Sequence, residues 1–158
     1  MGIRYLAISI DQQDYDHLCV GECTTCGERP QLRDLNDLEE EQRHTLDLDK
    51  SWGYFQTVLG SEPPRAASAL VHGDVTHTSY GWRSYRGLIS PDQVARVADD
   101  LASVSADLVR ERLLEHRRYG NDDRTQQDIE YVTSFLPEAQ AFTRRVADEG
   151  RAILYYIG

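Results

Sequence analysis

Two aspartates and a lysine stand together near the middle of the chain, beside a tryptophan. In the segment from Leu46 to Gly60, Asp47 and Asp49 alternate with leucines, and Lys50 follows directly. Lys50 is the only lysine of the sequence, which otherwise uses arginine for its long basic side chains. A carboxylate pair beside an ammonium group has the components for acid–base chemistry, and Trp52 would give a ligand a flat apolar wall.

The same residues also have a structural interpretation. Asp49 is placed to be the N-cap of a following helix, because its carboxylate can accept hydrogen bonds from free first-turn amides. Asp47 would then be a solvated acid, and Lys50 one half of a surface ion pair. Clusters of charge are more often structural than catalytic, so the sequence alone leaves both interpretations open.

The segment that follows Lys50 predicts a helix with one apolar face. Trp52, Phe55 and Leu59 recur at helical spacing. Gly60 is expected to end this helix in a left-handed conformation. Gly53 lowers helix stability by about 1 kcal/mol relative to alanine, which suggests that another backbone or a ligand approaches closely there.

A second candidate binding segment runs from Tyr80 to Ile89 and is rich in aromatic residues, arginines and glycines. Tyr80, Trp82 and Arg83 are its candidate ligand-binding residues. Aromatic rings and guanidinium groups bind flat or anionic ligands by stacking and by forked hydrogen bonds. The same composition also suits a loop packed over the edge of a core.

Cys23 and Cys26 have the C-x-x-C spacing of a zinc knuckle or a redox pair. His17, Cys19 and His77 are the candidates for two further zinc ligands. No second motif of this kind follows at the distance that a zinc finger requires, so free thiols are the competing interpretation. We therefore assign no metal or cofactor from the sequence, and keep a zinc-stabilised Cys19–Cys26 segment as an alternative.

Composition restricts the classes of function. The 158 residues carry a formal net charge of −10, which disfavours nucleic acid and anionic membranes as partners and suits a basic protein or a small ligand. No apolar run approaches the roughly 20 residues of a membrane span. The start of the sequence lacks the pattern of a signal peptide, and three cysteines argue against a disulfide framework. These features predict a cytoplasmic protein.

The pattern of apolar residues predicts an α+β fold with residues 1–158 in a single domain. Residues 3–10 and 151–157 are apolar on both faces, which is typical of strands inside a sheet, so the N- and C-terminal strands are expected to pair. Several helices should pack against this small sheet. Ser90 with Gln93 predicts a capping box, and Pro137 is expected to kink or divide the last helix.

Four segments carry a resemblance to a known family. The chain resembles the YfbM-like family of small bacterial proteins, a domain of unknown function, in residues 2–5, 46–60, 80–94 and 131–158, including the motif Leu-Asp-Leu-Asp-Lys-x-Trp. The resemblance implies a single α+β domain. It implies no activity, so no catalytic residue is transferred from the family. The cysteine segment is not part of the resemblance.

Three hypotheses for function follow. The first is a binding or interaction protein without catalysis, such as an acidic inhibitor of a basic partner, because no motif of a nucleophile with its base is found. The second is a small enzyme that uses Asp47, Asp49 or Lys50 in acid–base catalysis. The third is the zinc-stabilised domain. The charge and the lack of catalytic motifs favour the first hypothesis.

Overall fold

The two strands near the ends of the sequence lie side by side at the centre of one sheet. The computed structural model describes residues 2–20, 44–61, 63–116 and 123–158. Strand β1 (Tyr5–Ile10) pairs antiparallel with strand β6 (Ala152–Ile157), from Tyr5 opposite Ile157 to Ile10 opposite Ala152. In chain order, the described elements are β1 (Tyr5–Ile10), α1 (Gln12–Val20), β2 (Thr45–Asp49), α2 (Trp52–Leu59), a 3-10 helix (Ala66–Val71), β3 (Thr76–Thr78), β4 (Gly81–Arg83), β5 (Tyr85–Ile89), α3 (Pro91–Ala102), α4 (Ala106–His116), α5 (Asp123–Asp148) and β6 (Ala152–Ile157).

The sheet has the order β2-β1-β6-β5, and all its neighbouring strands are antiparallel. The interior position of β1 and β6 confirms the prediction from their apolar character on both faces. β2 and β5 are the edge strands. Strands β3 and β4 form a separate two-stranded hairpin, which the sequence analysis did not predict.

Helices cover both faces of the sheet, but unequally. The larger core lies between one face and helices α2 to α5, and Leu46, Leu48, Val94 and Val132 are fully buried in it. The opposite face packs against α1, where Leu18 contributes to a smaller apolar cluster with Ile8 and Leu154. This antiparallel sheet with helices packed on it confirms the predicted α+β fold. No helix among the described residues is long and apolar enough to cross a membrane.

Three tyrosines stack side by side in the larger core. The ring centroids of Tyr5 and Tyr155 are 5.5 Å apart, and those of Tyr155 and Tyr85 are 6.2 Å apart. The hydroxyl of Tyr5 donates to the carbonyl of Leu70 at 2.7 Å, and that of Tyr155 donates to the carbonyl of His72 at 2.8 Å. Burial raises the pKa of both hydroxyls, so they stay protonated as donors. The tyrosines thus attach the 3-10 helix and the residue after it to the sheet.

Helix boundaries confirm some predictions and correct others. Ser90 accepts from the amide of Gln93, whose side chain accepts in return from the Ser90 amide, so the predicted capping box is present. Helix α5 is continuous across Pro137, so of the two predicted effects of this proline the division into two helices is wrong and the kink stays a prediction. Gly60 does follow the last residue of α2, but with φ −89° it is right-handed, which corrects the predicted left-handed ending.

Gly53 has open space around it. Among the described residues, a Cβ atom at this position would meet no heavy atom within 4 Å, apart from its own neighbours in the chain and helix. The close approach of another backbone that the sequence suggested is therefore wrong.

Candidate functional site

The chain turns sharply at Asp49, where β2 ends. Asp49 has a φ of 46°, a left-handed conformation that aspartate tolerates better than most residues. The carboxylate of Asp47 accepts from the Asp49 amide at 2.7 Å and so stabilises the turn. Ser51, whose hydroxyl donates to the carbonyl of Leu48 at 2.6 Å, is the N-cap residue of α2. The prediction that Asp49 caps this helix is therefore wrong, because β2 continues through Asp49.

The carboxylate of Asp49 is held by residues distant in sequence. The hydroxyl of Tyr131, on α5, donates to Asp49 Oδ2 at 2.7 Å. Arg4 Nε lies 3.2 Å from Oδ1, within ion-pair distance but outside hydrogen-bond geometry. The hydrogen bond from Tyr131 lowers the pKa of Asp49 most, loss of hydration raises it in part, and the charges of Arg4 and Lys50 lower it further. Asp49 is thus held as a carboxylate, a form that cannot donate a proton as a general acid.

Lys50 and Trp52 both lie against the segment before β1, one exposed and one partly buried. Lys50 is exposed, and its side chain lies over Gly2, where a Cβ would come 2.5 Å from Lys50 Cε. Trp52 is partly buried, and its indole Nε1 donates to the carbonyl of Ile3 at 3.3 Å. Both side chains therefore contact the segment before β1. Neither of two surface clefts, one between β2 and α5 and one between α4 and α5, has Lys50 in its lining.

The other three candidate residues lie on the β3–β4 hairpin. Tyr80 is in its two-residue turn with a side chain that is 101% exposed, and Trp82 is 46% exposed. Arg83 is exposed at the end of β4. His77 pairs with Trp82 across the two strands. These exposures do not fit packing over a core edge for residues 80–84, whereas Tyr85 and Ile89 of the same segment do pack against the core. A ligand-binding role for the exposed part stays a prediction.

The two groups of candidate residues begin at opposite edges of the sheet. In the strand pairing, Asp49 lies opposite Tyr5, Tyr5 opposite Ile157, and Ile157 opposite Tyr85. Tyr85 follows directly after the hairpin and Ser84. Three strand spacings of about 4.8 Å separate Asp49 from Tyr85, or about 14 Å. The structure therefore gives two surfaces at the same end of the sheet, and Asp47, Asp49, Lys50 and Trp52 belong to only one of them.

A polar cleft that the sequence analysis missed lies between the start of β2 and α5. His44 Nε2 is 2.8 Å from Glu149 Oε1, and its Nδ1 is 3.4 Å from Arg145 Nη1. The cleft has a volume of about 360 Å³. It is lined by His44, Thr45, Glu138, Ala141, Phe142 and Arg145. His44 stands in a polar stretch without periodicity, and its partners are 101 and 105 residues away, so no local signal could have revealed this cleft.

The candidate zinc ligands are only partly within the described residues. Cys23 and Cys26 lie outside them. His17 and Cys19 are exposed on α1, and His77 is exposed on β3. Helix α1 follows the end of β1, whereas the hairpin precedes β5 at the opposite end of the sheet, so His77 is badly placed to share a metal with Cys19. Among the described residues, no three histidines, cysteines or carboxylates form a metal-binding group.

Comparison with known proteins identifies the family. A family model described as a domain of unknown function, DUF1877, matches residues 1–156. The chain belongs to this family. A structural match to YfbM of Escherichia coli, itself a protein of unknown function, covers 99% of both chains with a TM-score of 0.61 and 18% sequence identity. The predicted YfbM-like relationship is thus confirmed, and the likeness to YfbM shows the fold alone. Comparison with curated proteins found no match.

In this DUF1877 protein, replacing Tyr131 with phenylalanine should raise the pKa of Asp49 towards its ordinary value, because the main cause of its depression is removed. The folded pKa lies below the unfolded value of about 3.9. Ionised Asp49 therefore contributes stability above that value, and the contribution is lost as the pH falls through the folded pKa. Carboxyl ¹³C NMR titration measures the change, with Asp49→Asn identifying the signal. An unchanged Asp49 titration in Tyr131→Phe would show that the hydrogen bond is not the cause.

Proposed function

We propose that this protein is a binding protein without catalytic activity, which recognises a partner protein through the β3–β4 hairpin. The observation that carries the proposal is the exposure of Tyr80 and Trp82 on this hairpin. Tyrosine, tryptophan and arginine are the residues most enriched among those that dominate binding energy at protein interfaces. All three occur here within four positions, from Tyr80 to Arg83.

The hairpin is organised in a way that suits recognition. All residues from Thr76 to Ser84 are exposed, so the hairpin contributes little apolar burial to the fold. Its shape is fixed by strand pairing from Thr76 opposite Arg83 to Thr78 opposite Gly81, and by a 3.2 Å hydrogen bond from Thr78 Oγ1 to the Gly81 carbonyl. A fixed loop loses less conformational entropy on binding than a flexible one.

The net charge of −10 supports a basic partner. Opposite net charges speed the encounter of two proteins, and this acceleration falls as ionic strength rises. An acidic inhibitor of a basic protein is one function of this kind. The proposal places the protein in the bacterial cytoplasm, which its three cysteines and its fold relationship to an Escherichia coli protein support.

The test is to find the partner from the hairpin itself. A photoreactive benzoylphenylalanine at position 80 should crosslink a protein that the same group does not reach from position 96, where Arg96 is exposed on α3. Calorimetric titration of that purified protein should then show at least about tenfold weaker binding to Tyr80→Ala/Trp82→Ala than to the wild type.

The double variant should keep its thermal stability, since both side chains are largely exposed. The proposal fails if position 80 captures no protein of its own. It also fails if the double variant binds the captured protein with unchanged affinity.

A further inference from the structure

Strand β2 and helix α5 run side by side in opposite directions and are joined at both ends. At one end, Tyr131 of α5 donates to Asp49 at 2.7 Å. At the other, Glu149 and Arg145 contact the ring of His44, at 2.8 and 3.4 Å. The cleft of about 360 Å³ lies beside the start of β2. Polar contacts at both ends therefore hold a helix next to an edge strand at a fixed spacing.

The outer edge of β2 has main-chain groups that can pair with another strand. Within the described residues β2 pairs only with β1. The amide of Ser9 donates to the His44 carbonyl at 2.9 Å, so the main chain of His44 faces β1. By alternation along an antiparallel strand, the N–H and C=O of Thr45 and Asp47 face away from β1. Such an edge is a template for strand addition.

The cleft beside this edge has an apolar floor between one acidic and one basic side chain, and the basic one, Arg145, already contacts His44. Glu138, Ala141, Phe142 and Arg145 lie on one stripe of α5, three or four residues apart. Phe142 is largely buried and forms an apolar floor, whereas Glu138 is exposed. Among the described residues, Glu138 makes no ion pair. Asp47 is also exposed, at the outward-facing part of β2.

We propose that an extended segment of a basic protein adds to the outer edge of β2 as a fifth strand. Its main chain would pair with Thr45 and Asp47. One apolar side chain would cover Phe142, and a lysine or arginine would reach Glu138. This assignment rests on the proposed function, because it gives the chemistry of a partner for the same binding protein.

Charge favours this occupant over a second copy of the chain. Pairing two β2 edges would bring together two chains of net charge −10, each with Asp47 at the contact. A basic strand would instead be attracted by the carboxylate of Asp47 at the same contact. Peptide recognition by strand addition takes its affinity from main-chain hydrogen bonds and its specificity from side-chain pockets.

The experiment is selection of peptides from a displayed library of random decapeptides, with the full chain as bait. Enriched peptides should alternate β-branched or apolar residues with lysine or arginine. Thr45→Pro removes an outward N–H of an edge strand, and it should weaken binding of a selected peptide at least tenfold. Spectra and thermal unfolding show whether this variant is folded.

A second pair of variants keeps the main chain intact. Glu138→Lys should lower the affinity for the selected peptide at least tenfold. Glu111→Lys makes the same charge change at an exposed position on α4 and should change this affinity less than threefold. Selected peptides without basic residues, or equal effects of the two charge reversals, would overturn the proposal. A dimer seen by sedimentation in the wild type and lost in Thr45→Pro would instead assign the edge to a second copy.

The two binding proposals can fail separately. If the protein captured from position 80 binds Thr45→Pro and Glu138→Lys as tightly as wild type, and no basic peptide is selected, strand addition is wrong and the hairpin function stands. If basic peptides bind at β2 but Tyr80→Ala/Trp82→Ala has no effect on any partner, the hairpin proposal is the one that fails.

Discussion

Replacing Tyr155 with alanine is expected to destabilise the protein by about 4 kcal/mol, within the range measured for large-to-small substitutions in cores. The ring of Tyr155 is buried between those of Tyr5 and Tyr85. Its removal leaves a cavity in the middle of this stack. It also leaves the carbonyl of His72 without the hydroxyl that donates to it at 2.8 Å. Urea-induced unfolding followed by circular dichroism measures the loss.

Two phenylalanine variants separate the ring from the hydroxyl. Tyr155→Phe keeps the ring and should cost about 1–2 kcal/mol, the usual effect of removing one buried hydrogen bond. Tyr156→Phe changes the next residue in the same way. The Tyr156 hydroxyl lies beside the guanidinium of Arg86 but makes no well-formed hydrogen bond in the described part of the chain, so its removal should cost less than that of the Tyr155 hydroxyl. Equal losses for the two phenylalanine variants would contradict the assigned role of the Tyr155 hydroxyl.

Replacing Gly87 with alanine is expected to destabilise the protein by about 3 kcal/mol, at the upper end of the usual range for overpacking. Gly87 lies directly opposite Tyr155 in the sheet, and a Cβ there would come within 2.0 Å of the tyrosine ring. The ring cannot move aside, because stacking on both sides and its hydroxyl contact fix it.

The matched control is the same substitution at Gly53, with the opposite expected sign. Gly53 is inside α2, and no atom of another described segment lies within 4 Å of a Cβ built there. Gly53→Ala should therefore stabilise the protein by about 0.5–1 kcal/mol through helix propensity. Thermal unfolding of both variants gives the comparison. If both alanine variants were destabilised to a similar extent, a general intolerance of alanine, and not the contact with Tyr155, would explain the effect at Gly87.

The central part of the fold was predictable because its signals are local. Strands β1 and β6 are apolar on both faces, a pattern that indicates interior strands whatever their position in the sequence. The capping box of Ser90 and Gln93 depends on residues three positions apart. The hairpin was missed because β3 and β4 are three residues long and exposed, so no apolar alternation marks them. α5 stays whole at Pro137 because a long buried stripe, from Ile129 to Val146, holds both halves against the core.

The candidate sites depended on contacts that sequence spacing does not contain. Asp49 was expected to cap a helix, and its actual partners, Arg4 and Tyr131, are 45 and 82 residues away. The exposure of Tyr80 and Trp82 could not be distinguished in advance from burial at a core edge, since both use the same residue types. The edge position of β2 among the described strands required the strand order, which follows from long-range pairing alone.

The pairing of β1 with β6 affects how the protein can be made. Strand β1 is synthesised first, yet its neighbour on one side begins only at Ala152. Strand β1 is therefore synthesised long before β6, and until β6 follows one of its edges has no strand to pair with. Such distant pairing also slows folding in general. An unpaired strand edge is a template for association with other chains, so the nascent chain is exposed to aggregation until β6 has been made.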